Sequence, residues 1–217
     1  MKPVLLLLLT LLLKLPTAGP PAVRVTFNPL TKAAYLAAAK ATVVTKPTTT
    51  FPLKKIRGHL VIPTAKGPKT FADIIIDEAA IKKGHGEDEL TTYTYLGYLV
   101  DFKCHLIRVQ YYETAQWLLI DISGRQIELW GEPLFSPDLR HIVAICMGIE
   151  YGGGQPNMLQ LLELRNGMLW QVWTLEPKIW EPYRIKWLSS TSLVLSKEMW
   201  TGKNPGTTFT YAKLTIQ

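Results

Sequence analysis

From His59 to the C-terminus, the apolar residues of this 217-residue chain recur at every second position in short runs. Glycine, proline, asparagine and aspartate break the runs. A period of two places alternate side chains on opposite faces of a strand, so the pattern predicts β structure. HLVIPT and KTFADIII, joined by AKGP, read as a hairpin. TTYTYLGYLV, KCHLIRVQYY and AQWLLID follow as strands, then IELWG after the turn ISGRQ, and RHIVAICM. Beyond the glycine-rich stretch GIEYGGGQPN come MLQLLEL, MLWQVWTL after the turn RNG, YRIKWL, TSLVLS and TTFTYAKLTI. MLWQVWTL carries large side chains on both faces: Trp170 and Val172 on one, Leu169, Trp173 and Leu175 on the other. That pattern predicts a central strand covered on both sides.

Two segments break the period. LTKAAYLAAAKATVV is rich in alanine and lysine and predicts one helix over 31–43, with Thr31 near its start. DEAAIKKG fits a shorter helix, with Asp77 as the cap, lysines at its C-terminal end and Gly84 after it. TKPTTTFP, between the first helix and the hairpin, reads as an extended linker, and TKPTTTFPLKK is expected to be mobile. The first 22 residues have a basic start (Lys2), a leucine core from Val4 to Leu13 and then small residues and prolines. This is the layout of a signal peptide, and the apolar run is about half of the roughly 20 residues needed to span a bilayer. The expected organisation is a signal peptide (1–22), a basic lead-in with helix and linker (23–58) and a β-rich domain (59–217). Export to the periplasm or outside the cell follows from that leader, and an integral membrane protein is not expected.

Three landmarks recur at an offset of 43 residues: Leu118-Leu119 with Leu161-Leu162, Gly124 with Gly167, and Trp130 with Trp173. A period near 43 falls in the range of four-stranded blades, and it defines repeat-like units at about 115–147 and 158–215. PLFSPDLRHIVAI (133–145), with its Ser136-Pro137-Asp138 turn, is similar to the inner turn and strand of WD40-like β-propeller repeats of exported bacterial proteins. The resemblance covers residues 117–200. It departs at Leu139, where glycine is usual, and Ser-Pro-Asp is absent from the second unit. The layout also resembles small exported bacterial proteins, and neither likeness implies a catalytic residue. Since residues 59–112 lack the landmarks, the expected fold is mainly β. Its antiparallel, blade-like meanders would form an open twisted sheet, a sandwich or a small incomplete propeller, with one N-terminal helix. A closed small propeller is the alternative.

Charge is unevenly placed. The formal net charge is +7. Residues 23–72 contain Arg24, Lys32, Lys40, Lys46, Lys54, Lys55, Arg57, Lys66 and Lys69 and no acid, while all 17 acidic residues lie from Asp73 onward. Such a segment either folds back on the acidic remainder or meets an anionic surface; nucleic acid is a poor partner for an exported chain.

Candidate chemistry is sparse. His59, His85, His105 and His141 have no metal-pair spacing, and GHGEDEL reads as a solvated acidic turn. There is no G-x-S-x-G elbow, and YGGGQPN is not followed by a helix, so it does not read as a phosphate loop. No cofactor is implied. The acidic residues, Glu181 among them, are spread singly, as solubilising charges are. Cys104 and Cys146 lie inside apolar runs, either as two buried thiols or as one disulfide. Trp180, set between prolines in PKIWEPY, is the strongest candidate for an exposed aromatic, with Tyr183 and Tyr151 beside it. Lys54, Lys55 and Arg57 are the basic candidates. These features predict a non-catalytic exported binding protein that recognises an envelope protein or glycan. The alternative is a hydrolase, or a hydrolase inhibitor, acting on envelope polymers.

Overall fold

The computed structural model describes residues 23–148, 154–203 and 206–217, and among these the chain is mainly β. In chain order the elements are β1 (Val25–Leu30), α1 (Lys32–Lys40), β2 (Thr49–Thr50), β3 (His59–Ile62), β4 (Lys69–Ala72), α2 (Glu78–Lys82), β5 (Thr91–Leu99), β6 (Cys104–Tyr111), β7 (Ala115–Asp121), β8 (Gln126–Leu129), β9 (Leu134–Phe135), β10 (His141–Cys146), β11 (Met158–Arg165), β12 (Met168–Leu175), β13 (Glu181–Ser189), β14 (Ser192–Trp200) and β15 (Thr207–Ile216). All pairings are antiparallel.

Two four-stranded meanders and a three-stranded one follow one another. The first sheet is β5-β6-β7-β8 with β2 added beyond β5, the second β9-β10-β11-β12, and the third β13-β14-β15 with β1 added beyond β15. The hairpin β3–β4 stands apart. Shared cores stack these layers. Leu60 and Ile62 of the hairpin pack with Ile107, Leu118 and Ile120 of the first sheet. Leu106 and Leu119 of the first sheet meet Ile142, Ala144 and Leu162 of the second. Val143, Leu159 and Leu161, on the other face of the second sheet, meet Trp187, Leu195 and Leu214 of the third. The order is therefore hairpin, first, second and third sheet. Helix α1 covers the far face of the third sheet, where Tyr35 is buried and stacks on Tyr211 with ring centres 4.5 Å apart. Among the described residues the sheets close into no barrel. Hairpin and helix cap the two ends of the stack.

Both predicted helices form. Thr31 Oγ1 accepts from the Ala34 N–H at 3.1 Å and Asp77 Oδ1 from the Ala80 N–H at 2.8 Å, so each side chain satisfies an orphan donor of its first turn. The segment around α1 departs from the expectation of a separate lead-in. Residues 25–30, which carry no clean alternation, form the edge strand β1. The linker after α1 is not loose either. The Val43 N–H donates to Trp187 O on β13, Thr45 bridges to Phe135 on β9, and Thr49–Thr50 pair with Leu99 and Tyr98 on β5. Residues 43–50 thus form a strap across the first strand of every meander, covering strand edges that would otherwise expose unpaired backbone groups. Main-chain hydrogen bonds hold the linker, so its hold does not show as apolar alternation.

A second correction concerns β12. It is the outer edge strand of the second sheet, not a central one. A bulge opposite Leu161/Leu162 shifts its phase, and Gln171 and Thr174 are left exposed. The offset of 43 carries β7 onto β11 and β8 onto β12, which are the third and fourth strands of their meanders, and Gly124 and Gly167 occupy equivalent turns at φ +83° and +74°. The leucine pairs do not match by face. Leu119 and Leu162 both point into the layer between the first and second sheets, so one strand is turned over relative to the other. In the Ser-Pro-Asp turn, buried Ser136 accepts from the His141 N–H at 2.9 Å and donates to Asp138 at 2.7 Å. Leu139 adopts φ +55°, so the left-handed geometry persists without glycine, and its side chain packs against the core.

Candidate functional site

The third sheet carries a groove at the end where β13 begins and β14 passes into β15. The loop before β13 is held from beneath by Asn157, which is buried and donates through Nδ2 to Pro177 O and to Trp180 O, both at 2.7 Å. Two bonds from one amide fix the loop that presents Ile179 and Trp180. Ile179 is 74% exposed. Trp180 is half-buried: its edge meets Phe27 of β1 and the Lys197 ammonium lies 5.2 Å from its ring centre. Trp200, at the end of β14, is 64% exposed. A side chain at Gly206 would collide with its indole, so glycine is what lets the ring lie down on the β14–β15 connection.

Two cavities flank Trp180. One, of about 500 Å³, lies among Lys178, Trp180, Glu181, Glu198 and Trp200. The other, of about 900 Å³, lies among Lys32, Trp180, Lys197, Met199, Phe209 and Tyr211. Ile179, Trp180 and Thr207 belong to both, so the two form one groove. Its charge changes sign across Trp180, acidic on the Glu181–Glu198 side and basic on the Lys32–Lys197 side. Glu181 and Glu198 are direct cross-strand partners on β13 and β14. Glu181 is only 7% exposed, which is unusual for a carboxylate and unlike the solubilising charge expected of it. It forms part of the electrostatic surroundings of Cys146, whose thiol burial pushes up to about 11 with the Glu181 carboxylate adding to the rise.

The structure places the sequence candidates unevenly. Trp180 is at the centre of the groove. Tyr183 is 37% exposed and packs on Phe209, a wall of the basic cavity, with ring centres 5.1 Å apart. Tyr151 lies outside the described residues. Lys54, Lys55 and Arg57 are elsewhere, beside the hairpin, with the first and second sheets between them and the groove. Lys55 bonds Asp73 at 2.6 Å and Tyr93 O at 2.7 Å. Lys54 is exposed, and Arg57 sits in a tight turn at φ +48°. The possible bridge between Cys104 and Cys146 is not made: both are free and buried, on different sheets. Burial raises the Cys104 thiol to about 12.

Asn157, Glu198 and Trp200 were not among the candidates. Trp200 follows Ser196-Lys197-Glu198-Met199, where nothing in the sequence marks it out. The Glu181–Glu198 pairing is hidden by two bulges in β13–β14. Counting outward from the Ser189–Ser192 turn without them would set Glu181 opposite Trp200. Among the described residues, no group of three or more His, Cys, Asp and Glu side chains could hold a metal ion. His85 pairs with Glu89 at 3.0 Å on an exposed loop, and His105 meets the Tyr95 hydroxyl at 3.0 Å. No helix among the described residues is long and apolar enough to cross a membrane. Comparison with protein-family models, with curated proteins and with solved structures finds no match to this chain.

Proposed function

We propose that the protein is an exported, non-catalytic binding module that recognises an envelope protein or glycan through the groove around Trp180. The observation that carries this reading is the pair of accessible indoles, Trp180 and Trp200, set into two joined cavities whose sizes fall within the range of ligand sites. Tryptophan exposed in a concave, charged setting offers a flat apolar face with polar partners beside it. A mature chain starting between Gly19 and Val23 keeps β1 and the whole third sheet intact. Mass spectrometry of exported protein should find that start. Binding to isolated envelope material should weaken at least about tenfold in Trp180→Ala and in Trp200→Ala, the scale of losing one stacked aromatic anchor. Unchanged binding in both variants would remove the groove from the account.

A hydrolase is the second reading, favoured by the carboxylate pair. Glu181 and Glu198 are direct cross-strand partners lining one cavity, and glycosidases work with two carboxyl groups about 5–10 Å apart. Release of reducing ends from envelope polymers, abolished by Glu181→Gln and by Glu198→Gln separately, would establish it. Binding without turnover leaves the module reading in place. The basic surface of residues 23–72 supports a further contact, with an anionic surface. Binding to anionic vesicles should fall in Lys46→Gln/Lys54→Gln/Arg57→Gln and weaken steeply with salt.

A further inference from the structure

We propose that the strap and the segment after it, residues 43–57, dock on the surface of an anionic phospholipid bilayer. Val44, Phe51 and Ile56 enter the apolar layer, and Lys46, Lys54 and Arg57 meet the headgroups. This rests on the reading of residues 23–72 as an anionic contact and names the partner.

Three observations carry it. The first is that these residues form one ridge. Val43 is bonded to β13 and Thr45 to β9, and Thr49 and Thr50 pair with Leu99 and Tyr98 of β5. Lys55, six residues after Thr49, bonds the carbonyl of Tyr93, six residues before Leu99. The chain therefore follows the edge of β5 as far as the hairpin, where Leu53 packs on the core beneath it. A backbone held in this way presents its side chains with little further ordering to be done on binding. The second observation is what the ridge shows to solvent. Val44 is 83% exposed, Phe51 67% and Ile56 68%, and the exposed side chains of Lys46, Lys54 and Arg57 alternate with them along the chain. Apolar and basic side chains interleaved on one surface suit a lipid interface, where the cations meet phosphates and the apolar groups leave water. An acidic polysaccharide would satisfy the cations alone, whereas acyl chains yield around each protruding side chain. The third observation is local charge. Residues 43–57 contain no acid. Asp101 accepts from the Thr48 N–H at 2.7 Å and Asp73 is paired with Lys55 at 2.6 Å, so two acids that touch the ridge are engaged by it. Glu132, in the recess beside Val44 and Lys46, shares that recess with a further cation, Lys186.

The test is sedimentation of the mature protein with vesicles of phosphatidylcholine alone and of an equal mixture of phosphatidylcholine and phosphatidylglycerol. A soluble polyuronate is the third probe. Native protein is expected to bind the mixed vesicles at least about tenfold more tightly than the neutral ones, an effect that two basic side chains at a charged surface suffice to give. Val44→Ser/Phe51→Ser/Ile56→Ser keeps every charge. It should lose about tenfold or more on mixed vesicles, the scale of withdrawing a buried apolar side chain, and bind polyuronate as native protein does. An unchanged melting temperature would show that variant to be folded. A second measurement does not depend on it. Both native cysteines are buried, so Val44→Cys can be labelled alone with an environment-sensitive dye. Its emission should shift to the blue on mixed vesicles, and no shift would overturn the proposal. Equal vesicle binding by the triple serine variant would overturn apolar entry and leave an electrostatic contact alone. Tighter binding of polyuronate than of mixed vesicles would make the partner a soluble polyanion and overturn the proposal. Absence of binding to all three probes would overturn both the proposal and the anionic contact beneath it, leaving the Trp180 groove untouched.

Discussion

Glu181 and Glu198 are direct cross-strand partners, a position at which two like charges repel. Replacing Glu198 by glutamine keeps the shape and removes one charge. Thermal or urea unfolding of Glu198→Gln should show a gain of about 0.2–1 kcal/mol, the range for a relieved cross-strand repulsion. A loss of stability would mean that the charge itself supports the fold. The thiols allow a second test at this scale. Burial raises Cys104 to about 12, with Asp121 adding to the rise and Arg125 opposing it, and raises Cys146 to about 11. Because the thiolate is the reactive form, an aromatic disulfide reagent at pH 8 should leave both untouched in native protein and count two after denaturation. Two thiols titrating at once without denaturant would contradict the burial.

The strap is the element most exposed to a single change. Gly97, on β5, has φ +118°. A Cβ there would collide with Thr49 and come within 2.9 Å of Thr50 O. Gly97→Ala should therefore lift β2 from β5 and add left-handed strain, together about 2 kcal/mol or more. Hydrogen exchange at the Val100 N–H, which donates to Thr48 O at 2.9 Å, should quicken relative to amides of β6 and β7. Unchanged protection there would show that the strap is held by something other than this pairing. Whether a two-residue strand pairs at all depends on glycine leaving room for it, which alternation alone cannot reveal.

At the scale of the whole molecule, buried histidines couple stability to pH. Burial lowers His105, on the first sheet, and His141, on the second, where nearby Glu163 and Asp138 partly offset the effect. The unfolded chain then binds protons first, below about pH 6.5, so stability is fully present above that value and falls as pH drops through it. The urea midpoint should decrease between pH 7.5 and 5.5. The double variant His105→Gln/His141→Gln should show a flatter slope whatever its midpoint at neutral pH. A midpoint independent of pH in the native protein would mean that neither ring is held neutral by burial. Asp73 adds a lower window. Burial alone would raise it, but Lys55 and the Tyr93 N–H hold it below the usual carboxylate range, so its contribution is lost only as pH falls below about 4.

What the chain determines by itself is what depends on neighbours in sequence. Period-two alternation placed the strands from β3 to β15, apart from the two-residue β9. Thr31 and Asp77 marked the helix starts, because a cap acts over three residues. Glycines marked the turns, and Trp180 stood out between prolines. Tertiary structure decided everything set by partners far apart. Nothing in VTFNPL states that β1 will lie beside β15, almost 190 residues away. A rich two-faced pattern in β12 could not say that the strand would end at an edge, because burial on both faces by Leu169, Val172 and the tryptophans needs neighbouring layers but not neighbouring strands on both sides. The groove was legible only in its one aromatic. Its carboxylate pair exists because two bulges shift β13 against β14 until Glu181 meets Glu198, a register set between strands that no local pattern records.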